Sequence, residues 1–485
     1  MTQGRDGISL APRGARRLMG VTHRLSIVAA AFAIAALVVG SVGTSYAQTA
    51  LLDTVVVTNY GAAFAGTLVT FKAGSTKHTR PALIVKGTNT LLGASTGPAG
   101  VSVSSADGHI AVSVPIDLLD LTGFGAPVGA PAAGTGFAEI FSPGANKNSA
   151  PESVIGTRNV AFLVPNTSGV NTPQGLAYED PFDGVNPGRN ILAIANTLPT
   201  SFGPIDANAA CTAFGGFTVG TITEFDTNLL AVGSPGFNDG VAPFNNSPVC
   251  TNACVQTATC PPNPPGTAIC PAASEYNATI GGCDTFLLGP VAVAFDESGF
   301  LFVVNEAGVA SGGPGFVTVY SPGASGDAFP FAIIGLIPTD PTAGAFVDPA
   351  KITVASDTDF FDDVMFVTDV GDNSIKIFAP FTNFDPFSFV FTGTELGVVS
   401  GGHTKLKRPE GIALGEDSGA LYVVNNSASS LSMFTDFTSL EDGGDIPPTL
   451  IIQGRNTKLN FPVDVALSEF TPSASPTETE DASHR

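Results

Sequence analysis

From Pro349 to Gly393 the chain alternates short apolar runs with polar bends: PAKITVAS, VMFVTD, SIKIF and FVFTG, separated by Asp, Gly, Asn and Pro. Val, Ile and Phe suit a pleated, half-buried surface, and the separators suit tight turns, so the pattern predicts four successive strands and no helix. The unit recurs. Its first strand begins at Pro98, Pro173, Pro290, Pro349, Pro409 and Pro462, as PAGVSV, PQGLAY, PVAVAF, PAKITV, PEGIAL and PVDVAL. Its second strand (DTVVVTN, HIAVS, ILAIAN, FLFVVN, VMFVTD, ALYVVN) ends at Asn59, Ser113, Asn196, Asn305, Asp369 and Asn425. Its third closes on Phe71, Phe141, Phe225, Tyr320, Phe378 and Phe434. The fourth is expected to end in Gly87, Gly156, Gly233, Gly335, Gly393 and Gly454, where a turn calls for positive φ or close backbone approach.

The copies are out of phase with the termini. The N-terminus supplies strands two to four of a unit whose first strand, PVDVALSEF, lies near the C-terminus. Such an offset closes a ring and removes exposed edges, whereas a linear solenoid would need capping repeats. The fold class is therefore all-β, a six-bladed β-propeller. The segments DVMFVTDVGDNSIKIFAP and DSGALYVVNNSASSLSMF resemble NHL-type repeats, and DTVVVTNYG resembles the related YVTN-type repeat; the likeness spans roughly residues 51–470. It implies a propeller of the gluconolactonase-like superfamily, a scaffold that carries binding modules and hydrolases alike.

With 44% hydrophobic and 13% charged residues, the 485-residue chain is too apolar to be disordered and ample for a large core. Arg5, Arg13, Arg16, Arg17 and Arg24 precede an uncharged apolar run, Leu25–Val42, and then Ser45, Tyr46 and Ala47. Residues 1–47 read as a signal peptide for export to the periplasm or beyond, with a retained anchor as the alternative because the run is nearly long enough to span a bilayer. The net charge of −22 becomes more negative once that Arg-rich segment is removed. Such a surface argues against nucleic acid or anionic lipid as a partner.

The propeller is expected over 48–470, with a Cys-rich insertion at about 234–289 and a disordered tail at 471–485. Cys211, Cys250, Cys254, Cys260, Cys270 and Cys283 all belong to the second blade or the loop leaving it. An even count in an exported chain, with no His nearby, points to three disulfides of open pairing.

The ends of the second strands and the starts of the first share one face, here called the top. The residue after each Pro looks toward the central channel: Ala99, Gln174, Val291, Ala350, Glu410 and Val463. In calcium-dependent gluconolactonase-type propellers this position carries Asn or Asp ligands. The resemblance thus implies Glu410 and Gln174 as catalytic or metal-binding positions, helped by Asn305, Asp369 and Asn425, with Asn196 and Glu306 in reserve. Capping of strand ends is the plainer reading of the Asn/Asp series.

Gly93–Gly97 matches G-x-S-x-G but precedes a propeller strand, and His78, His109, His403 and His484 are scattered, so no nucleophilic triad forms. Basic residues crowd two top-face loops: Lys405, Lys407, Arg408, Arg455 and Lys458, with His403 beside them and Lys351 a blade away. Either they pair with acids such as Glu395, Glu410 and Asp464, or they form an anion site. The sequence thus reads as an exported, non-catalytic binding module without a resident cofactor, its partner a small anion, a saccharide or a protein. A calcium-dependent lactonase or esterase is the alternative.

Overall fold

The computed structural model describes residues 51–61, 66–92, 97–115, 136–157, 170, 172–179, 189–197, 220–230, 236–238, 247–249, 276–281, 285–306, 314–326, 328–337, 340–356, 363–386, 389–416, 418–435, 440 and 442–468. The N-terminal segment, all six cysteines and the C-terminal tail lie outside these.

Six antiparallel blades stand around one axis, each with its Pro-led strand innermost. Numbered by that strand, blade 1 starts at Gly100–Val103, blade 2 at Pro173–Tyr178, blade 3 at Pro290–Phe295, blade 4 at Pro349–Ala355, blade 5 at Pro409–Gly415 and blade 6 at Pro462–Ser468. Each of these packs against the next, and the last against the first. Blade 6 is the composite one, with Pro462–Ser468 pairing antiparallel to Thr54–Asn59 and the sheet continuing through Thr67–Phe71 to Leu83–Val85.

Two fourth strands differ from expectation. In blade 2 the strand is Ile280–Gly281, paired with Thr221 and Ile222; the segment after Gly233, Gly236–Asn238, instead runs parallel to Ser153–Ile155 on the outside of blade 1. In blade 4 the strand is Thr394–Val399, while Phe384–Asp385 and Val390–Phe391 form a hairpin on the outer edge of blade 3. Both misplaced segments are short, two or three residues built around a Phe. Periodicity marks such a segment as a strand but does not say which open edge it satisfies.

The core is divided as a propeller requires. Six apolar clusters of described residues each fill one interface between consecutive blades. The closing aromatic of every third strand enters the interface with the preceding blade: Phe378 meets Phe346 and the blade 3 core, and Tyr320 sits among Ala193, Ala195 and Ile222 of blade 2. All six are buried.

Near the axis the limiting factor is space. A Cβ on Gly100, Gly175 or Gly411 would lie 2.5 Å from the backbone of the next blade's first strand. The repeated Pro has a matching partner, because Gly66, Gly136, Gly220 and Gly315, each beside a third strand, receive the ring of the next blade's Pro within 2.5 Å of where a Cβ would stand. In blades 4 and 5 Asn373 and Ser429 replace this glycine. There Asn373 Oδ1 accepts from Arg408 N at 2.6 Å, and Ser429 Oγ accepts from Phe461 N at 3.3 Å.

Asp464 ties the composite blade to both sides. Its Oδ2 accepts the Val101 N–H of blade 1 at 3.0 Å and lies 3.2 Å from Lys351 Nζ of blade 4, passing over Gly411 of blade 5. Burial pushes this carboxyl up, against the pull of the Lys351 ammonium and the Val101 N–H.

Three substitutions check this account. Phe378→Ala removes a buried ring from one interface and is expected to lower the unfolding free energy by about 3–5 kcal/mol in urea titrations. Asp464→Ala strands the Lys351 ammonium and the Val101 N–H together and is expected to cost about 3–5 kcal/mol. Asp464→Asn, which keeps an acceptor for Val101, is expected to cost less in the same titration.

Candidate functional site

The top face is built on one repeated hydrogen-bond scheme. Asn59, Asn305 and Asn425 are fully buried, and each Oδ1 accepts the N–H two residues before the Pro of its own blade: Asn460, Leu288 and Lys407, at 3.0, 2.9 and 2.9 Å. Each Nδ2 donates to a hydroxyl on strand three, namely Thr67, Thr318 and Ser432. Blade 4 changes both partners together. Asp369 accepts from Val347 N and Asp348 N, and where the other blades place a hydroxyl, Lys376 Nζ meets Asp369 Oδ2 at 2.9 Å. An amide facing a hydroxyl has been replaced by a carboxylate facing an ammonium.

These bonds bear on whether the series could hold calcium. Calcium takes six to eight oxygens converging on one point, but the oxygens of Asn305, Asp369 and Asn425 are occupied by loop N–H groups. The set does not fit the ion. Among the described residues no group of three His, Cys, Asp or Glu is placed to hold a metal. Gln174 and Glu410 belong to blades 2 and 5, on opposite walls of the ring, and their main-chain carbonyls accept from Ser113 Oγ at 2.5 Å and Thr368 Oγ1 at 2.6 Å. Their side chains are half-buried at the channel, as are Val291, Ala350 and Val463.

Charge gathers at the channel mouth from neighbouring blades. The Glu306 carboxyl, beside Asn305, is hydrogen-bonded to that of Asp348, which precedes Pro349. Arg408, which precedes Pro409, donates from Nε to Glu410 Oε1 at 2.8 Å. Burial, reinforced by the Asp348 and Glu410 carboxylates, pushes the Glu306 carboxyl up to about 7, with Arg408 pulling the other way. Burial also raises the Glu410 carboxyl in spite of Arg408 and Lys351.

Outside this acidic mouth lie the basic loops, shaped by a turn that the sequence reading missed. Thr90, Thr404 and Thr457 each donate from Oγ1 to the carbonyl three residues earlier, on Gly87, Gly401 and Gly454, at 2.8, 2.8 and 2.7 Å. The next residue is left-handed each time: Leu91, Lys405 and Lys458, with φ 57°, 60° and 60°. The residue after it, Leu92, Leu406 or Leu459, is buried. The signal was present as T-L-L and T-K-L, at equivalent places in three loops.

Lys405 and Lys458 therefore stand at equivalent positions of consecutive blades. Lys405 Nζ bonds the Gly402 carbonyl at 2.8 Å. Among the described residues Lys405, Lys407, Arg455 and Lys458 have no carboxylate within ion-pair distance. His403 is held by Asp445, Nδ1 to Oδ2 at 2.7 Å, and Arg408 by Glu410. Of the acids named as possible partners, Asp464 is taken by Lys351. His78, His109 and His403 lie in separate places with separate partners, and Ala94, Ser95 and Thr96 lie outside the described residues.

Neither a protein-family model nor a curated protein sequence matches the chain. Solved structures do. The chain is similar to the nidogen/laminin complex, at 10% identity and TM-score 0.43 over 86% of this chain and 98% of that one. It is also similar to the periplasmic gluconolactonase of Pseudomonas aeruginosa, at 13% identity and TM-score 0.40 over 85% and 98%. A third is the Kuenenia stuttgartiensis hydrazine synthase, at 9% identity and TM-score 0.38 over 88% and 93%. Likenesses at these levels carry no activity to this chain.

The raised Glu306 carboxyl gives a pH prediction. Its folded pKa lies above the unfolded value, so its contribution to stability is fully present below about 4.5 and is lost as pH rises through about 7. Melting temperature is expected to fall between mildly acidic and mildly basic solution. Glu306→Gln is expected to flatten that slope and to melt above the parent at the basic end, in thermal unfolding followed across pH.

Proposed function

We propose that this chain is an exported, non-catalytic β-propeller that binds an anionic ligand on its top face. One observation carries the reading: four cations in the entry loops of blades 5 and 6, Lys405, Lys407, Arg455 and Lys458, lack carboxylate partners among the described residues although the chain carries a net charge of −22. On such a protein a cation has many acids to choose from. Four left without one, on two neighbouring loops, make a local positive field that an anion satisfies.

The loops are also fixed in shape. Thr404 and Thr457 set their turns, and Asn425 and Asn59 hold them through Lys407 N and Asn460 N, so little ordering entropy opposes binding.

Calorimetric titration of the parent with citrate, inorganic phosphate and a uronic-acid trisaccharide is expected to show binding that weakens with salt, because exposed charges are screened over about 10 Å at 0.1 M. Combined Lys405→Glu, Lys407→Glu and Arg455→Glu reversal is expected to weaken it by more than about tenfold. Absence of any anion binding to the parent, or binding that survives the reversal, defeats the proposal.

A further inference from the structure

Phe461 occupies a position where its backbone and its ring both call for an explanation. It precedes Pro462 with φ 49°, a left-handed conformation that is strained for a bulky residue. The left-handed backbone belongs to the repeat position: blades 1 and 3 fill it with Gly97 and Gly289, at φ 76° and 63°, and blades 2 and 5 with Thr172 and Arg408, at φ 50° and 51°, so what sets blade 6 apart is the aromatic ring. Glycine would relieve the strain in blade 6 as well. The ring does not repay the strain by entering a core, because the residue is 45% exposed.

The residue is nevertheless held firmly. Its N–H donates to Ser429 Oγ at 3.3 Å, its carbonyl accepts Tyr60 N at 3.0 Å, and Asn426 Nδ2 donates to the Pro462 carbonyl at 3.3 Å. The same 426–429 loop holds the carbonyl of Arg408, through Asn426 N at 3.0 Å. Phe461 is thus tied by one loop to the Arg408–Glu410 pair. Lys458 lies three residues before it, and Lys407 adjoins Arg408.

We infer that Phe461 is a stacking platform and that the anionic ligand is an acidic saccharide; this rests on the anion-binding reading above. An aromatic plane receives the C–H face of a sugar ring, the lysines receive its carboxylate or sulfate, and the second oxygen of Glu410 accepts from a hydroxyl. A simple inorganic anion uses the cations alone. An aromatic acid would use the plane and the cations but has no hydroxyl for Glu410.

The test titrates four proteins, the parent, Phe461→Ala, Phe461→Trp and the triple reversal, with a uronic-acid trisaccharide, a benzene tricarboxylate, citrate and inorganic phosphate at equal ionic strength. Melting temperature is recorded for each, and the exposed, strained position leads us to expect Phe461→Ala to fold. The trisaccharide should bind the parent more tightly than phosphate, citrate or the aromatic acid. Phe461→Ala should lose about tenfold for the trisaccharide, Phe461→Trp should retain it, and both should bind phosphate as the parent does.

Equal trisaccharide affinity in Phe461→Ala overturns the platform, and tighter binding of the aromatic acid overturns the saccharide assignment. In either case the anion site stands as long as the triple reversal abolishes binding. If no anion binds the parent, both readings fall together.

Discussion

Six innermost strands crowd a single axis, and the rest of the molecule is arranged around that crowding. At Gly100, Gly175 and Gly411 the neighbouring backbone comes so close that a methyl group has no room. At Lys351 and Asp464 the same repeat position carries charge instead, in the two blades that flank Gly411. The two facts belong together. A pair linking blade 4 to blade 6 can form over blade 5 because blade 5 contributes no side chain there. Ring closure therefore rests on more than the ladder between Pro462–Ser468 and Thr54–Asn59, because Asp464 draws blades 1 and 4 toward the strand that comes last in the chain.

The same geometry separates the polar groups that build the top face from those left to face outward. The Asn series lies deep and spends its oxygens on entry-loop N–H groups, which explains why residues that look like ligands along the sequence act as fasteners. Blade 4 makes the point by exchange. Asp369 and Lys376 replace an amide and a hydroxyl without changing which loop is held. Groups nearer the mouth are not consumed in this way. Burial, with the neighbouring carboxylates, raises the Glu306 and Glu410 carboxyls, and the basic loops lie just outside them. Under the proposed reading, an acidic mouth flanked on one side by cations would favour a ligand able both to donate hydrogen bonds and to carry negative charge.

Much of the fold was legible because the same chemistry recurs in most blades. Pro packs against a neighbouring Gly, Asn fastens the loop, and the closing aromatic enters the interface behind it, so each leaves a mark at a fixed place in the repeat. The fourth strands of blades 2 and 4 were less legible. Outer strands are short, and Val390–Phe391 satisfies blade 3 as readily as it would its own blade. The site was legible in its inventory and not in its pairings. Glu410 and the basic loops stood out by type, but that Lys351 reaches Asp464 across a blade, leaving the loop lysines without that acid, depends on which side chain the intervening blade lacks. Phe461 left no mark as a single aromatic in a polar loop, because its exposure does not show in the pattern.

In the basic loops rigidity would serve the proposed anion binding. A lysine on a flexible loop would lose much of its attraction for an anion to ordering. Lys405 and Lys458 sit in turns fixed at both ends, by a Thr hydroxyl on one side and a buried Leu on the other. Because the turn recurs in blades 5 and 6, the backbone positions that carry the two lysines are related by the rotation from one blade to the next. Their spacing is thus a property of the ring, held by the same close packing of Gly and Pro that closes it. A ligand that spans both loops reads the geometry of the propeller itself, and a substitution that loosens the axis should reach the site through that spacing without touching any residue in it.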